Sequence, residues 1–440
     1  MLVEAGGAIA YRLGVRILFA TLGSAGDTHP YIAIGEELVR RGHAVAMLAN
    51  PHFEGRIRPC GIEYLPLGEE KDFLEVLHDP RLAQQGKSPY LVIEALFNKT
   101  VEPAYLAMQD AVRSFRPDVI VRHHILFAAG WVAEQHKIPC VTGVLTPSMW
   151  FHPDEPTILR SYLPRSVQRA LSGPIRVVGK FALRWFIDRP VNRARVRLGL
   201  PPIRDVFFHE SKGGDRVLGL WSKHFRPPLA GDPPGSEVTG FCFFDRAGGD
   251  ADRALDPELE RFLARHEARP PVIFTLGTTI VHHAGDMFDV AVRAAREIRR
   301  PIVLLVGKKG AFEAFGDAPD VCVCAYAPHS LLMPRAAVSI HHAGAGSAAQ
   351  ALRSGRPSVS VPFVNDEFDI AHRMQKLGVS AYLPAGRLWS KNAVRNLAEA
   401  LRQVTEAPSF LERATVLGNQ IRLESGAVIA ANSVETPASC

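Results

Sequence analysis

Residues 339–378, SIHHAGAGSAAQALRSGRPSVSVPFVNDEFDIAHRMQKLG, read as one strand–turn–helix–strand unit of an α/β protein. A strand-like run ends in a His pair, a glycine-rich turn opens a helix, and a second strand ends in an acidic pair. In α/β proteins, ligands gather at the carboxyl ends of strands, and phosphates bind backbone N–H groups at helix N-termini. The unit therefore predicts a site for a phosphorylated small molecule, with His342 and Ser347 near the phosphates. Asp366 and Glu367 are then predicted to lie near a polyol.

Strand-like apolar runs alternate with helical patterns in both halves of the chain, as in parallel βαβ sheets. We predict the α/β class, with two Rossmann-like parallel-sheet domains facing a cleft. The predicted domains cover residues 1–243 and 244–420, and a helix-patterned segment, 421–440, can pack back on the first domain. The first helix is predicted from about Tyr31 to Arg41. Two domains that face a cleft suit an enzyme with two substrates.

Length and composition describe an ordered globular protein with room for two cores. The chain has 440 residues, of which 47% are hydrophobic and 22% charged. The apolar runs are strand-sized, and the sixteen N-terminal residues lack the pattern of a signal peptide. The 6 cysteines are scattered without a CxxC pair, which fits structural thiols in a reducing cytosol. The predicted location is cytoplasmic.

Positive charge concentrates in one segment of the first half. Residues 159–226 contain 15 Lys or Arg against 4 Asp or Glu, inside a predicted amphipathic insertion at about residues 150–226. Solvated Arg on surface helices explains this pattern. Peripheral contact with anionic lipid at the inner membrane face, or with an amphiphilic acceptor, explains it as well. No nucleic-acid module is recognisable, so nucleic acid is not a predicted partner.

The first glycine-rich turn, TLGSAGDTHP at residues 21–30, carries a candidate acid–base group. Asp27 follows the first strand, so its carboxylate should point into the cleft between the domains. There it could accept a proton from an attacking hydroxyl. The alternative role is a helix cap, which Asp often provides. His29 either pairs with Asp27 or packs in the core.

The turn after the His pair also matches a dinucleotide-binding fingerprint. Gly344 and Gly346 form a GxGxxA motif, and Asp366 follows about twenty residues later. An NAD(P)-dependent oxidoreductase is therefore an alternative function. The motif lies in the fourth strand unit of its domain, whereas the fingerprint normally opens a domain. The same small residues suit any diphosphate at a helix N-terminus, where His342 would add a hydrogen-bond donor or a positive charge.

Two further turns follow predicted strands of the second half. In LGTT, Thr278 could give hydroxyl and N–H groups to a phosphate, or serve the turn alone. In YAPH, Tyr326 could stack on a base, or pack as an ordinary tyrosine. The DxD at Asp250–Asp252 lies in a polar connector, and the His doublets lack zinc-site spacing. We therefore predict no metal site.

Two long motifs carry a family resemblance. They are GSAGDTHPYIAIGEELVRRGHAV at residues 23–45 and HHAGAGSAAQALRSGRPSVSVPFVNDEFDIAHRM at residues 341–374. With them the chain resembles, from about Val15 to Val434, the GT-B-fold family-one glycosyltransferases, which use nucleotide-diphosphate sugars. The branch that it resembles contains sterol glucosyltransferases, glycopeptide glycosyltransferases and the rhamnosyltransferases of rhamnolipid synthesis.

The resemblance implies a role for each motif residue. Asp27 is the implied catalytic base. The implied donor-binding residues are Thr278, Tyr326, His329, His342, Gly344, Gly346, Ser347, Asp366 and Glu367. Within this set, Tyr326 is assigned to base stacking, His329 to the ribose side and Thr278 to phosphate. The acidic pair is assigned to the sugar hydroxyls.

The implied function is an inverting, metal-independent transfer of a hexose from a UDP- or dTDP-sugar to a hydroxyl of a hydrophobic small-molecule or lipid acceptor. The first domain would bind the acceptor and the second the donor, with no cofactor besides that co-substrate. A non-catalytic partner that binds sugar nucleotide and activates another transferase is a further alternative. Many members have Gln in place of Glu367, and plant members have Glu in place of Gln350, which leaves the sugar and the base open.

Overall fold

Two parallel β-sheets organise the chain in this computed structural model, which describes residues 14–83, 91, 94–152, 155, 181, 184–245, 254–307 and 318–436. The strands of the first sheet are β1 (Arg16–Ala20), β2 (Ala44–Ala49), β3 (Glu63–Pro66), β4 (Val119–His123), β5 (Cys140–Val144), β6 (Arg216–Gly219) and β7 (Ser236–Val238). Their order is β3-β2-β1-β4-β5-β6-β7, and every pair is parallel.

The second sheet repeats this winding. Its strands are β8 (Val272–Thr275), β9 (Ile302–Leu305), β10 (Val321–Cys324), β11 (Val338–His341), β12 (Ser358–Ser360) and β13 (Ser380–Tyr382). Their order is β10-β9-β8-β11-β12-β13, again parallel throughout. Both sheets thus start in the middle, wind outward to one edge and return to the other side, as in the Rossmann fold. The predicted α/β class with two Rossmann-like domains is confirmed.

Helices connect the strands in both halves. In the first half they are α1 (Ala25–Arg40), α2 (Glu54–Ile57), α3 (Glu70–His78), α4 (Val101–Phe115), α5 (Phe127–His136), α6 (Arg189–Arg197) and α7 (Val206–Glu210). In the second half they are α8 (Pro257–Arg265), α9 (Gly277–Ile280), α10 (Met287–Glu297), α11 (His329–Leu332), α12 (Ala345–Ser354), α13 (Glu367–Lys376), α14 (Ala393–Glu406), α15 (Pro408–Arg422) and α16 (Gly426–Glu435).

The central strands are apolar on both faces because helices cover both sides of each sheet. In β1, Ile17 and Phe19 point into one core and Leu18 into another. In the second domain, Phe274 of β8 and Ile340 of β11 share one core, while Ile273 of β8 belongs to another. Continuous apolar runs rather than alternating patterns therefore mark these strands in the sequence.

The first helix begins earlier than predicted, at Ala25 rather than near Tyr31. Ser24 is the N-cap residue, and the side chain of Asp27 accepts hydrogen bonds from the Ser24 backbone N–H and hydroxyl. This capping arrangement starts the helix ahead of Pro30, which lies inside it. The predicted start was wrong because the cap formed by Ser24 and Asp27 begins the helix about six residues earlier.

The C-terminal helices return to the first domain. Helix α15 packs on α12, where Gly418 lies against the backbone of Gly355. Helix α16 then packs on α1, and its Glu435 forms an ion pair with Arg41 and a hydrogen bond with His43. The chain therefore crosses between the two sheets a second time at its end.

Only part of the basic segment lies within the described residues. Trp185 is 53% exposed, with the Arg189 guanidinium carbon 3.3 Å from its ring centroid, and Val196 on α6 is exposed as well. In the described part of the chain, no helix has both the length and the apolar character required to cross a membrane. Contact with a membrane surface stays a prediction.

Candidate active site

Each sheet reverses its winding between two adjacent strands, which are β1 and β4 in the first domain and β8 and β11 in the second. The crevice at such a switch point is where open α/β sheets bind ligands. Asp27 follows β1 and His123 ends β4. Gly277 follows β8, and His342 directly follows β11. The candidate site residues of both domains therefore come from the switch points of their sheets.

The two crevices meet where two helices begin. A Cβ atom built on Gly346, in the first turn of α12, would lie 3.6 Å from the Cα atom of Gly26 in the first turn of α1. The N-termini of α1 and α12 are therefore in contact across the cleft. Both present backbone N–H groups and the positive end of a helix dipole there, which favours an anion between the domains.

Asp27 lies in the first turn of α1 and faces this junction. Its Oδ2 accepts hydrogen bonds from the Ser24 N–H at 2.7 Å and the Ser24 hydroxyl at 2.9 Å. The side chain is 32% exposed. Burial of the carboxylate raises its pKa, but the hydrogen bonds from His123 and from Ser24 outweigh this effect, so the pKa is lowered. Asp27 is therefore a carboxylate at neutral pH, and it takes the capping role that the sequence offered as one alternative. Its role as a base stays a prediction.

His123 is a neighbour of Asp27 that the sequence analysis did not identify. Its Nε2 lies 3.5 Å from Asp27 Oδ1, and its side chain is 1% exposed. The sequence shows only a His doublet at the end of a strand, which we considered for zinc and set aside. The available signal was topological, since β4 pairs with β1 and parallel strands end at the same edge of a sheet.

His29 takes the second of its two predicted roles. Its ring packs against Phe53 and Phe244, with centroid distances of 6.4 Å and 5.4 Å. Burial, and then the charge of Arg56, lowers its pKa to about 3. A neutral, packed imidazole in this place supports the shape of the turn around α1.

On the second domain, His342 occupies a slot between two glycines. A Cβ atom on either Gly277 or Gly344 would collide with its imidazole ring. The ring is buried, and its Nδ1 has no hydrogen-bond partner within the described structure. Burial, and then the charge of His329, lowers its pKa to about 4, so the ring is neutral at pH 7. Such a nitrogen can make a hydrogen bond to a ligand without contributing a charge.

The helix that follows, α12, has the form of an anion site. Gly344 is its N-cap and supplies no side chain to the free N–H groups of the first turn. Gly346 and Ser347 lie in that turn and are partly exposed. These are the positions at which the sequence predicted phosphate binding. Gln350, one turn later, donates instead to Asp245 at 3.2 Å, which ties the helix to the segment between the domains.

The acidic pair lies at the start of α13. Burial, and then the charge of Asp27, raises the pKa of Asp366 to about 6, while a hydrogen bond from Thr146 lowers it. Asp366 is therefore close enough to Asp27 of the other domain for the charge of Asp27 to affect it. Glu367 Oε2 accepts the backbone N–H groups of Phe363 and Val364, at 2.7 Å and 3.0 Å. Burial raises its pKa to about 8, so Glu367 is protonated at pH 7.

The remaining predicted donor residues lie at the ends of β8 and β10. Thr278 belongs to the short helix α9, and its side chain lies outside the described structure. Tyr326 follows β10 and is 54% exposed. His329 begins α11, with its Nε2 3.5 Å from Thr275 Oγ1. The turn after β8 lies beside His342, whereas β10 is two strands farther along the same sheet.

Metal-ligating residues do not gather in the described ranges, where no group of three or more His, Cys, Asp or Glu side chains could hold an ion. Asp250–Asp252, the DxD sequence, lies outside those ranges. The prediction that no metal is used stays a prediction.

Known sequences match the chain in both halves. Residues 17–149 match the glycosyltransferase family 28 N-terminal domain, and residues 288–426 match the erythromycin biosynthesis protein CIII-like C-terminal domain. The chain is 32% identical to O-mycaminosyltylonolide 6-deoxyallosyltransferase of Streptomyces fradiae, covering 94% of this chain and 95% of that protein. It is 26% identical to a sterol 3-beta-glucosyltransferase of Arabidopsis thaliana, covering 92% of this chain and 66% of that protein.

Solved structures share the fold. The glycotransferase of kitacinnamycin superposes with a TM-score of 0.74 at 19% identity, over 96% of this chain and 99% of that one. Glycosyltransferase VinC, solved in complex with dTDP, superposes with a TM-score of 0.65 at 18% identity, over 96% and 99%. These relationships favour glycosyl transfer over the oxidoreductase alternative. The chain belongs to the GT-B-fold glycosyltransferases.

Proposed function

We propose that this glycosyltransferase moves a hexose from a UDP- or dTDP-sugar to a hydroxyl group of a hydrophobic acceptor, with inversion and without a metal ion. The observation that carries the proposal is the placement of two acids, Asp27 and Asp366, close enough across the two domains for the charge of Asp27 to affect Asp366. They lie where the N-termini of α1 and α12 meet. A donor bound to the second domain would thus present its sugar to a base on the first.

Direct displacement needs a base for the acceptor. In this proposal the acceptor hydroxyl gives its proton to the Asp27 carboxylate while its oxygen bonds to the anomeric carbon of the sugar. The bond between that carbon and the phosphate oxygen breaks, and the nucleoside diphosphate leaves. Asp27 is suited to the role because it is ionised at neutral pH and because its second oxygen is held by Ser24.

The leaving diphosphate needs stabilisation as it gains charge. The uncapped N–H groups at the start of α12 point to where it would lie, and the helix dipole adds to their effect. His342 offers a neutral ring nitrogen beside them. Thr278 and Ser347 complete the proposed phosphate site. Because these groups are part of the protein, the leaving group can be stabilised without a bound cation.

The substrate classes are proposed from the side chains at the site and from what the names of the relatives say of their substrates. Asp366, ionised above about pH 6, can accept hydrogen bonds from sugar hydroxyls, and Tyr326 offers an exposed ring for a base. VinC shows that a protein of this fold accommodates dTDP. The named acceptors of the relatives are a tylonolide and a sterol, which supports a hydrophobic acceptor.

The proposal is tested with Asp27→Asn and a panel of UDP- and dTDP-hexoses and hydrophobic alcohols, read by mass spectrometry. General-base catalysis typically contributes ~10²–10⁴ in rate. We expect the variant to lose about that much turnover while its affinity for dTDP or UDP stays unchanged. Asp289→Asn, on the exposed face of α10, is the control and should keep full activity. Normal turnover by Asp27→Asn would contradict the proposal, and a wild-type protein that binds donor but transfers nothing would favour the activator alternative.

A further inference from the structure

The tautomer of His123 is set by its own loop. Its Nδ1 accepts the backbone N–H of Ile125 at 3.3 Å. Because Nδ1 accepts this hydrogen bond, the ring hydrogen lies on the other nitrogen, Nε2. That nitrogen is buried, has no other partner among the described residues, and lies 3.5 Å from Asp27 Oδ1. Its N–H therefore has the carboxylate as its available acceptor.

We infer that His123 is a positioning residue for Asp27, whose Nε2–H holds the carboxylate in the orientation in which it takes the acceptor proton. This inference rests on the proposed function of Asp27. Ser24 holds one carboxylate oxygen and His123 approaches the other, so the group is restrained at both ends. A carboxylate held from one side only can rotate about its last bond, which would spread the direction of the reactive oxygen.

The geometry favours positioning over a proton relay. A relay would require a free lone pair on Nε2, but Nδ1 is the acceptor nitrogen and Nε2 carries the proton. The separation of 3.5 Å is also longer than a strong hydrogen bond. A long bond of this kind orients the carboxylate while reducing its basicity less than a short bond would.

The other ionisable groups around Asp27 come from three elements. Tyr31 lies on α1, donates its hydroxyl to the Gly143 carbonyl at 2.7 Å, and has a raised pKa because of burial and then the charge of Asp27. Asp366 of the second domain is close enough for the charge of Asp27 to affect it. His124 is next to His123, with 4.3 Å between the ring centroids, and burial lowers its pKa. Among the ionisable neighbours, His123 is the one that lowers the pKa of Asp27.

The test compares kcat and kcat/KM as a function of pH for the wild type, His123→Phe, His123→Gln and His124→Phe. His123→Phe keeps a ring of similar shape but has no donor. We expect kcat to fall about 10- to 100-fold, which is typical of losing a hydrogen bond to a charged group. The donor KM should stay constant, and the acidic limb of kcat/KM should move to higher pH because Asp27 loses a group that lowers its pKa. His123→Gln, which keeps an N–H donor, should recover part of kcat, and His124→Phe should leave the limb in place.

A double-mutant cycle with Asp27→Asn separates this inference from the proposed function. If His123 acts through Asp27, adding His123→Phe to Asp27→Asn lowers kcat no further. An unchanged acidic limb in His123→Phe, or losses that multiply in the double variant, would overturn the positioning role alone. Wild-type turnover in Asp27→Asn would instead overturn the proposed function. If His123→Phe does not fold, as judged by thermal unfolding, His123→Asn, whose side chain is too short to reach Asp27, replaces it with the same expected outcomes.

Discussion

At the scale of single residues, the Asp27 carboxylate caps α1 and is also the proposed catalytic base. One oxygen accepts hydrogen bonds from Ser24, and the other lies 3.5 Å from His123 Nε2. A helix cap restricts the side chain, so a base located there is pre-organised by the backbone that follows it. The site of His342 also depends on residues with two functions. Gly277 and Gly344 shape two turns, and they also leave the space that the His342 ring occupies.

Gly344→Ala should weaken donor binding by displacing His342. The backbone of Gly344 has φ −62°, which suits alanine, so the expected effect comes from the new methyl group meeting the imidazole. Loss of one hydrogen bond to phosphate predicts an increase of about tenfold in the donor Kd, measured by calorimetry with dTDP or UDP. Gly386→Ala, where a methyl group would meet open space, is the control. Equal affinities in the two variants would contradict this role of His342.

Glu367→Gln should change how stability depends on pH. Burial raises the pKa of Glu367 from 4.5 to about 8 in the folded protein. Below pH 4.5 the carboxyl group is protonated in both the folded and the unfolded state. Between pH 4.5 and about 8 only the folded state keeps the proton, so the free energy of unfolding falls as the pH rises. This loss of stability is complete above about pH 8. The amide keeps an acceptor for Phe363 and Val364 but does not ionise. We expect the variant to equal the wild type in stability near pH 4 and to exceed it by up to about 5 kcal/mol at pH 9.

The measurement for Glu367→Gln is urea unfolding at a series of pH values. The Gly386→Ala variant, with the acidic pair intact, should follow the wild-type curve. A constant difference between Glu367→Gln and the wild type from pH 4 to pH 9 would show that Glu367 is not protonated in the folded protein at neutral pH.

At the scale of elements, helices α1 and α16 differ in what determines their positions. Helix α1 starts at its capping residues, so local chemistry determines its beginning even with Pro30 inside it. Helix α16 is placed by tertiary packing. Its Ala430, Ala431 and Val434 join the core under α1, and its polar residues meet the end of α1. The periodic pattern of the last segment predicted a helix but did not show which surface it would cover.

Glu435→Ala should destabilise the first domain from the far end of the chain. The Glu435 side chain is 2% exposed and pairs with Arg41 at 2.6 Å and His43 at 2.7 Å. Removing one member of a buried ion pair leaves a buried charge without its counter-charge, which typically lowers the free energy of unfolding by about 3–5 kcal/mol. Thermal or urea unfolding should show a loss of about 3 kcal/mol. Glu412→Ala, on the exposed face of α15, should change stability little, and equal midpoints for both variants would contradict the prediction.

At the scale of the whole molecule, the site exists because the two domains approach each other. The start of α1 lies against the start of α12, and Glu155 joins Arg226 of the first domain to Arg373 of α13. Arg226 and Arg373 each keep an acidic partner of their own, Asp232 and Asp369. The Glu155 bridge is therefore a link between two ion pairs that would persist without it.

Glu155→Gln should loosen the approach of the domains without harming either one. The bridge is 25% exposed at Glu155, so we expect an effect of about 1 kcal/mol, which is roughly a fivefold increase in donor KM. The kcat value should change little because no group at the site is altered. Small-angle scattering should give a larger radius of gyration than in the wild type. The control is Glu54→Gln, which removes the exposed ion pair between Glu54 of α2 and Arg58. Identical donor KM values and radii of gyration in the two variants would contradict the proposed role of the Glu155 bridge.

Much of this molecule was predictable from short-range pattern. Apolar runs indicated the strands, the glycine turn before Asp27 located the candidate base, and the turn after His342 located the candidate phosphate site. Each of these signals lies within about ten residues of chain, where turn chemistry and periodicity operate directly. The start of α1 is also set locally, by the cap that Ser24 and Asp27 form.

Other features depend on which strands become neighbours and on how the domains close. The approach of His123 to Asp27 joins residues 96 positions apart and requires β4 to pair with β1. The closeness of Asp27 and Asp366 requires two separate sheets to meet at their switch points. Side-chain patterns along the sequence carry no record of such pairings, because strand order is decided by packing of helices on both faces of each sheet. For that reason the amino-acid sequence reveals the chemical groups, and the folded arrangement alone reveals which of them act on one another.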